Sequence, residues 1–305
     1  MAVAGRAAGE RGAGLFVGLC TLDVIQLVDH VPGADEKVRA RDQVVAAGGP
    51  AANAAAVFSH LGGRATLLTV LGGHPLARAA RADLTGLGVT VEDLAAETDE
   101  PPAVSSVLVT AADGRRAVAS TNAARHRPRP PGGLATLVAA CDVVELDGHH
   151  MELALAAARS AREAGRTTLF DGGSWKPGTH ELLPCVDVAL CSADFRPPGT
   201  ETTADVLDFL HDHGVPRAAV SRGGDPLVWS GPEGRGTVGV PPVRAVDTVG
   251  AGDFLHGAFA RHWRPDGGDF AGALARAAEV AARSCASFGT RSWMLRPSCI
   301  DHERC

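Results

Sequence analysis

Asp247-Thr248-Val249-Gly250-Ala251-Gly252-Asp253 is the stretch on which the reading turns. It opens an apolar, small-residue run, Phe254-Leu255-His256-Gly257-Ala258-Phe259, whose spacing predicts a helix over 251–262. Two glycines let the backbone turn tightly and present consecutive N–H groups at a helix N-terminus, where the dipole favours negative charge. Asp253 closes the same turn. A carboxylate beside an anion site costs electrostatic energy, so its placement points to chemistry, in which it accepts the proton of a hydroxyl that attacks phosphorus. A plainer reading stands beside this one. Asp247 or Thr248 would cap the helix, the glycines would serve the turn, and Asp253 would complement the dipole.

Outward from this string, composition removes several function classes. The chain has 305 residues, 45% apolar and 21% charged, which is enough to bury a full core. Its net charge is −6 and its basic residues are dispersed, against a nucleic-acid partner. Nine Phe, four Trp and no Tyr leave few rings for stacking on bases or sugars. The lysines are Lys37 and Lys176, and neither follows glycine, so no Walker A loop exists. No Gly-x-Gly-x-x-Gly follows the first apolar run, which disfavours a dehydrogenase. Seven scattered cysteines (Cys20, Cys141, Cys185, Cys191, Cys285, Cys299 and Cys305) include no Cys-x-x-Cys pair, and read as reduced thiols of a cytoplasmic protein. Residues 1–14 read as a loose leader, and the uncharged stretch 43–63 is too polar and broken to span a bilayer.

Along the chain, Leu15–Cys20 suits a buried strand, with β-like runs continuing to Val31 and from Lys37 to Ala46. Helices are expected at 50–61, 75–87, 152–164, 203–213, 251–262 and 269–288. Strands are expected at 65–71, 142–146, 167–170, 186–191, 217–221 and 226–229. Runs 103–109 and 115–121 flank Asp113-Gly114, a hairpin signal, and 127–133 is a Pro/Gly connector. Strands alternating with helices imply an α/β fold with a mostly parallel sheet covered on both faces. No linker or repeat divides residues 15–305, so one domain is expected, with a β accessory from 22–45 and 103–122.

A second string, Gly48-Gly49-Pro50-Ala51-Ala52-Asn53-Ala54-Ala55 running on to Leu61-Gly62-Gly63, stands near the other end of the chain. Together the two resemble the amino- and carboxy-terminal signatures of the ribokinase-like (PfkB) carbohydrate kinases, over nearly the whole chain after Gly14. Within that family, Val17-Gly-Leu-Cys-Thr-Leu-Asp23-Val-Ile-Gln-Leu-Val-Asp29, with Pro32, Asp35, Val38 and Arg39, is most similar to ketohexokinases. The resemblance implies a three-layer α/β/α fold whose β accessory is a lid that closes over sugar and excludes water. It implies ATP as donor and Mg²⁺ as cofactor, and leaves a monovalent-cation requirement open.

Residue by residue, the resemblance implies that Asp253 is the general base and that the Gly250, Ala251 and Gly252 amides hold the transferring phosphoryl group. Asp23, Asp35, Gly49 and Asn53 would hydrogen-bond sugar hydroxyls. Ser221, Gly223 and Thr248 would lie along the nucleotide, with Cys285 to Gly289 bordering adenine. Lys176, following a strand, either reaches a nucleotide phosphate or is a solvated loop lysine. His149 and His150 are adjacent and so diverge, which disfavours a shared metal. Departures from the family pattern are Ser192-Ala193-Asp194-Phe195 in place of Asn-x-x-Glu, which leaves the metal ligands unassigned, and Pro50, Arg222 and Asp225. A ketohexose-like acceptor is favoured, with nucleoside or sugar-acid kinases and a non-catalytic sensor as alternatives. Exposed lid-strand edges predict a homodimer joined through the lids.

Overall fold

Neighbouring residues of each central strand feed two different cores, and this alternation builds the layers. The computed structural model describes residues 12–123, 126–264 and 268–295. Nine strands form one sheet: β1 (Ala13–Val17), β4 (Arg64–Thr69), β5 (Thr90–Asp93), β8 (Val143–Leu146), β9 (Thr167–Gly172), β10 (Val188–Ser192), β11 (Arg217–Arg222), β12 (Asp225–Gly231) and β13 (Gly234–Val238). Their order is β13-β12-β11-β10-β9-β8-β1-β4-β5, parallel from β11 to β5 and antiparallel at β12 and β13. Leu67, Val143, Leu169, Leu190 and Ala219 face a core shared with helices α1 (Pro50–His60), α2 (Pro75–Gly86), α7 (Ala251–His262) and α8 (Phe270–Ser284). Their neighbours Leu68, Val144, Phe170, Cys191 and Val220 face the other core, under α3 (Leu134–Ala139), α4 (Met151–Glu163) and α6 (Thr203–Asp212). The result is a three-layer α/β/α arrangement around a mostly parallel sheet, as expected.

A second sheet, ordered β3-β2-β6-β7, comprises β2 (Thr21–Val28), β3 (Asp42–Gly48), β6 (Ala103–Thr110) and β7 (Arg116–Ser120). Its inner face carries Ile25, Val107 and Val109 against Val249 and Phe288. The expected hairpin at Asp113-Gly114 forms, with Gly114 at φ +67°. Its tip lies on the 246–248 turn, where the Thr248 hydroxyl donates to the Gly114 carbonyl at 3.0 Å.

Several boundaries differ from expectation. The β run expected at 37–46 begins only at Asp42, because residues 29–41 form a largely exposed loop around Pro32-Gly33. The last helix stops at Ser284 instead of 288; the chain leaves it so that the Cys285 carbonyl accepts from the Val246 and Asp247 amides. Strands β5 and β13 and helices α3 and α5 (Thr179–Leu182) are additions, short or weakly patterned and held by packing. Of the leader at 1–14, residues 1–11 lie outside the described residues, as do Cys299 and Cys305, while Ala13 and Gly14 belong to β1. Among the described residues no helix is long and apolar enough to cross a membrane.

Small residues let α1 and α7 approach each other. Every α1 residue from Ala51 to Phe58 is buried, and a Cβ on Gly257 of α7 would stand 2.2 Å from the Ala54 carbonyl oxygen. This contact places the N-termini of both helices at the carboxyl ends of the parallel strands, where α/β folds bind ligands.

Candidate active site

Gly250 caps α7 in the left-handed region at φ +75°, a conformation glycine takes without strain. A Cβ there would lie 3.0 Å from the Phe254 ring and 3.3 Å from Asn53 Nδ2. Neither Asp247 nor Thr248 caps the helix. Asp247 instead accepts the Val249 amide at 2.8 Å and the Gly289 amide at 2.9 Å, stitching the turn to the chain's last described segment. The first-turn N–H groups of α7 therefore remain without side-chain caps; the Ala251 amide meets only the Thr248 carbonyl, at 3.4 Å, and Ala251 and Gly252 border a cavity.

Asp253 sits in that first turn, half-buried, and its Oδ2 accepts from Asn53 Nδ2 at 2.8 Å. The contact joins the two glycine-rich strings. Asn53 Oδ1 in turn accepts from Arg291 Nη1 at 3.0 Å. Burial, then the Asp171 carboxylate, push the Asp253 carboxyl up to about 7, against the Asn53 hydrogen bond and the charges of His256 and Arg116. Deeper lies Glu145, fully buried with both oxygens unpartnered; burial and the carboxylates of Asp171, Asp147 and Asp253 drive it well above the usual carboxylate range. Asp147 takes the Leu19 amide at 2.7 Å and the Ala51 amide at 3.3 Å, bracing the glycine-rich turn. His256, buried on α7, meets the Gly252 and Leu190 carbonyls at 2.7 and 2.9 Å and Asp171 at 3.4 Å.

On the Asn53 side, Gly49 has φ +93°, and a Cβ there would stand 2.4 Å from the Leu19 carbonyl oxygen. Asp23, buried on β2, has its carboxylate directly over Gly48, where a Cβ would fall 1.9 Å away. Thr21 Oγ1 donates to it at 2.5 Å, and burial raises its carboxyl against hydrogen bonds from Thr21 and Ser105.

On the opposite side of the α7 N-terminus a cavity of about 480 Å³ opens. One wall is apolar, from Leu227, Val240, Leu255, Ala278 and Ala282; the other presents Ser192, Ser221, Gly223, Thr248 and Gly252. Arg116 of β7 stands at its edge, 3.2 Å from Thr248 Oγ1. An apolar slot leading to a helix N-terminus with a guanidinium beside it suits a planar base carrying a polyphosphate.

The pfkB family of carbohydrate kinases matches this sequence over residues 15–296. The chain belongs to that family. It is a carbohydrate kinase, a phosphotransferase that acts on a sugar hydroxyl and binds ATP. An ATP-dependent ribose-1-phosphate kinase of Halopiger xanaduensis is 31% identical over 281 residues, covering 91% of this chain and 93% of the relative. A provisionally named ribokinase from Agrobacterium tumefaciens superposes with a TM-score of 0.84 at 26% identity, over 93% of this chain and 94% of that one. Arabidopsis thaliana ribokinase, solved with ribose and ATP, shares the fold at a TM-score of 0.77 and 22% identity, over 92% and 94% of the two chains. None of the three is a ketohexokinase, and they lend the ketohexose preference no support.

Within this kinase the expected site residues fall into three groups. Asp253, Asn53, Gly49 and the 250–252 turn converge, with Asp23 on the adjoining strand. Ser221, Gly223, Thr248 and Cys285 line the cavity. Three positions depart from expectation. Asp35 is exposed in the 29–41 loop at φ +59° and is hydrogen-bonded to none of Asp23, Asn53 and Asp253. Gly289 is not in the cavity wall; it supplies its amide to Asp247 and packs under Val44 of β3. Lys176 is not in the wall either, and its Nζ donates to the Ser174 carbonyl at 3.4 Å. Arg116, Arg291, Asp171, His256 and Glu145 carry no signal in the sequence, since each comes from a segment without a motif or from a position within one that no pattern marks, and gains its place only through tertiary contacts.

Proposed function

We propose that this PfkB kinase transfers the γ-phosphoryl group of ATP to a primary hydroxyl of a ribose-type sugar, with Asp253 as general base. The observation that carries the reading is the 2.8 Å contact between Asn53 and Asp253, two polar groups 200 residues apart held between a buried carboxylate and a nucleotide-sized cavity. Asp23, Gly49 and Asn53 supply carboxylate, amide N–H and carboxamide groups suited to sugar hydroxyls. The acceptor hydroxyl gives its proton to Asp253 Oδ as its oxygen attacks phosphorus in line. The uncapped amides of the Gly250–Gly252 turn and the Arg116 guanidinium offset the charge on the phosphoryl oxygens.

ATP fits the residues present: adenine along Leu227, Val240 and Cys285, ribose near Ser221 and Gly223, phosphates toward Thr248 and the α7 turn. Among the described residues no cluster of three or more His, Cys, Asp or Glu side chains is arranged to hold a metal. Mg²⁺ would therefore arrive on the nucleotide's own phosphates, where it neutralises charge, as is usual for this ion. The small sheet acts as the lid, its Gly114 tip already resting on the anion turn. Its edge strands β3 and β7 support pairing of two copies through their lids, which light scattering at micromolar concentration would reveal as a dimer. The five cysteines among the described residues are free thiols, which supports a reducing, cytoplasmic setting.

A panel of ribose, ribose-1-phosphate, fructose, a nucleoside and a sugar acid, read by coupled ADP detection, tests the acceptor. The pentose arm should dominate. The run from Val17 to Asp29 supports fructose as the second arm, and turnover with fructose alone would replace the pentose reading. A sensor would show no turnover with any arm.

A further inference from the structure

Arg291 lies outside both glycine-rich strings, in the segment after α8, and besides a 3.4 Å contact to the Thr290 carbonyl its guanidinium reaches into the site's surroundings. Nη1 donates to Asn53 Oδ1 at 3.0 Å, Nη2 to the Ala47 carbonyl at 2.7 Å, and Nε meets Asp83 Oδ2 at 3.1 Å. Asp83, on α2, also accepts the Ala47 amide at 3.0 Å. The peptide at Ala47, where β3 runs down from the small sheet into the Gly48-Gly49 turn, is thus gripped at its carbonyl and its N–H by the two members of one ion pair. The side chain of Arg291 is 11% exposed, so water competes weakly for these bonds.

A carboxamide has one accepting end and one donating end. Arg291 offers only donors, so it dictates that Asn53 turns its oxygen toward the guanidinium and its NH₂ toward Asp253. We propose that Arg291 is a positioning residue for the phosphoryl transfer, locking Asn53 in the one orientation that donates to the catalytic base. Without the guanidinium the amide can flip whenever Asp253 is protonated, its oxygen then accepting from the carboxyl O–H, which favours the protonated base. The inference rests on the assignment of Asp253 as base. Groups facing Asp253 are Asp171 on β9, Glu145 on β8, His256 on α7, Arg116 on β7 and Asn53 on α1. Of these, Asn53 is the one that Arg291 touches.

The test is the pH profile of kcat/KM between pH 5.5 and 9 for wild type, Arg291→Met, Arg291→Lys, Asn53→Ala and Arg291→Met/Asn53→Ala. Losing a hydrogen bond to a charged acceptor shifts its pKa by about one unit. Arg291→Met should therefore move the acid limb up by about one pH unit, with a roughly tenfold loss at pH 6 that closes toward wild type at pH 9. Arg291→Lys keeps a cation for Asp83 but cannot also reach Asn53 and Ala47. It should fold with a near-native thermal midpoint and show the same limb. In the Asn53→Ala background, removing Arg291 should move the limb no further. A loss equal at every pH, or a further shift in the Asn53→Ala background, overturns the proposal. Asp253→Asn separates the two readings: lost turnover there with an unmoved limb in Arg291→Met rejects the role of Arg291 and leaves the base assignment standing.

Discussion

Asp253→Asn should make the protein a poorer enzyme and a more stable fold at the same time. The Asp253 carboxyl is pushed from 3.8 to about 7, first by burial and then by Asp171. A carboxyl that holds its proton more tightly when folded destabilises the native state as pH rises between those two values, and the penalty is complete above the higher one. A difference of about three units corresponds to a ceiling of about 4 kcal/mol at 1.36 kcal/mol per unit. Asp253 is only half-buried, and solvent at its exposed edge screens the charge, so the expected gain for the neutral amide is about 1–2 kcal/mol at pH 8. Its amide oxygen can still accept from Asn53, so the substitution removes charge with little change of shape. Urea denaturation of both proteins at pH 8 and near pH 4 measures the effect: the variant gains at pH 8 and the gain vanishes near pH 4. Coupled assays should show turnover down by about 10²–10⁴-fold with sugar still bound. A variant less stable by the same amount at both pH values, or one with near wild-type turnover, would refute the reasoning.

Three further outcomes follow from single contacts. Gly49→Ala places a Cβ 2.4 Å from the Leu19 carbonyl oxygen at φ +93°, so denaturant titration should show a loss of about 2 kcal/mol or more. Ala281→Phe puts a ring into the apolar wall of the 480 Å³ cavity; KM for ATP should rise at least about tenfold, while sugar affinity measured by calorimetry stays unchanged. Burial pushes the Cys20 and Cys191 thiols well up, so both should resist iodoacetamide at pH 8 until the protein is unfolded, as peptide mapping would show.

Much of the architecture was legible because it is written in local patterns. The alternating helices and strands follow from periodicity, and the Asp113-Gly114 hairpin from turn chemistry. The two glycine-rich strings announced close backbone approach, and the clashes that a Cβ would meet at Gly48, Gly49 and Gly250 give that reading its physical content. Less legible were features whose reason lies elsewhere in space. Helix α8 stops at Ser284 because the Cys285 carbonyl is needed by the 246–247 amides, and nothing in the local sequence says so. Gly289, expected to border adenine, is not in the cavity wall, and its amide donates to Asp247.

The sequence by itself determined the layered fold, the glycine turn at 250–252 and the carboxylate beside it, because each depends on residues close together in the chain. Tertiary structure alone decided the electrostatics that govern that carboxylate. Burial and Asp171, on a neighbouring strand, raise Asp253, while Asn53, oriented by Arg291, restrains it from a helix 200 residues away. Charge and hydrogen-bond orientation act through space, so they become fixed only when the packing of α1 against α7 brings those groups within a few ångströms of one another.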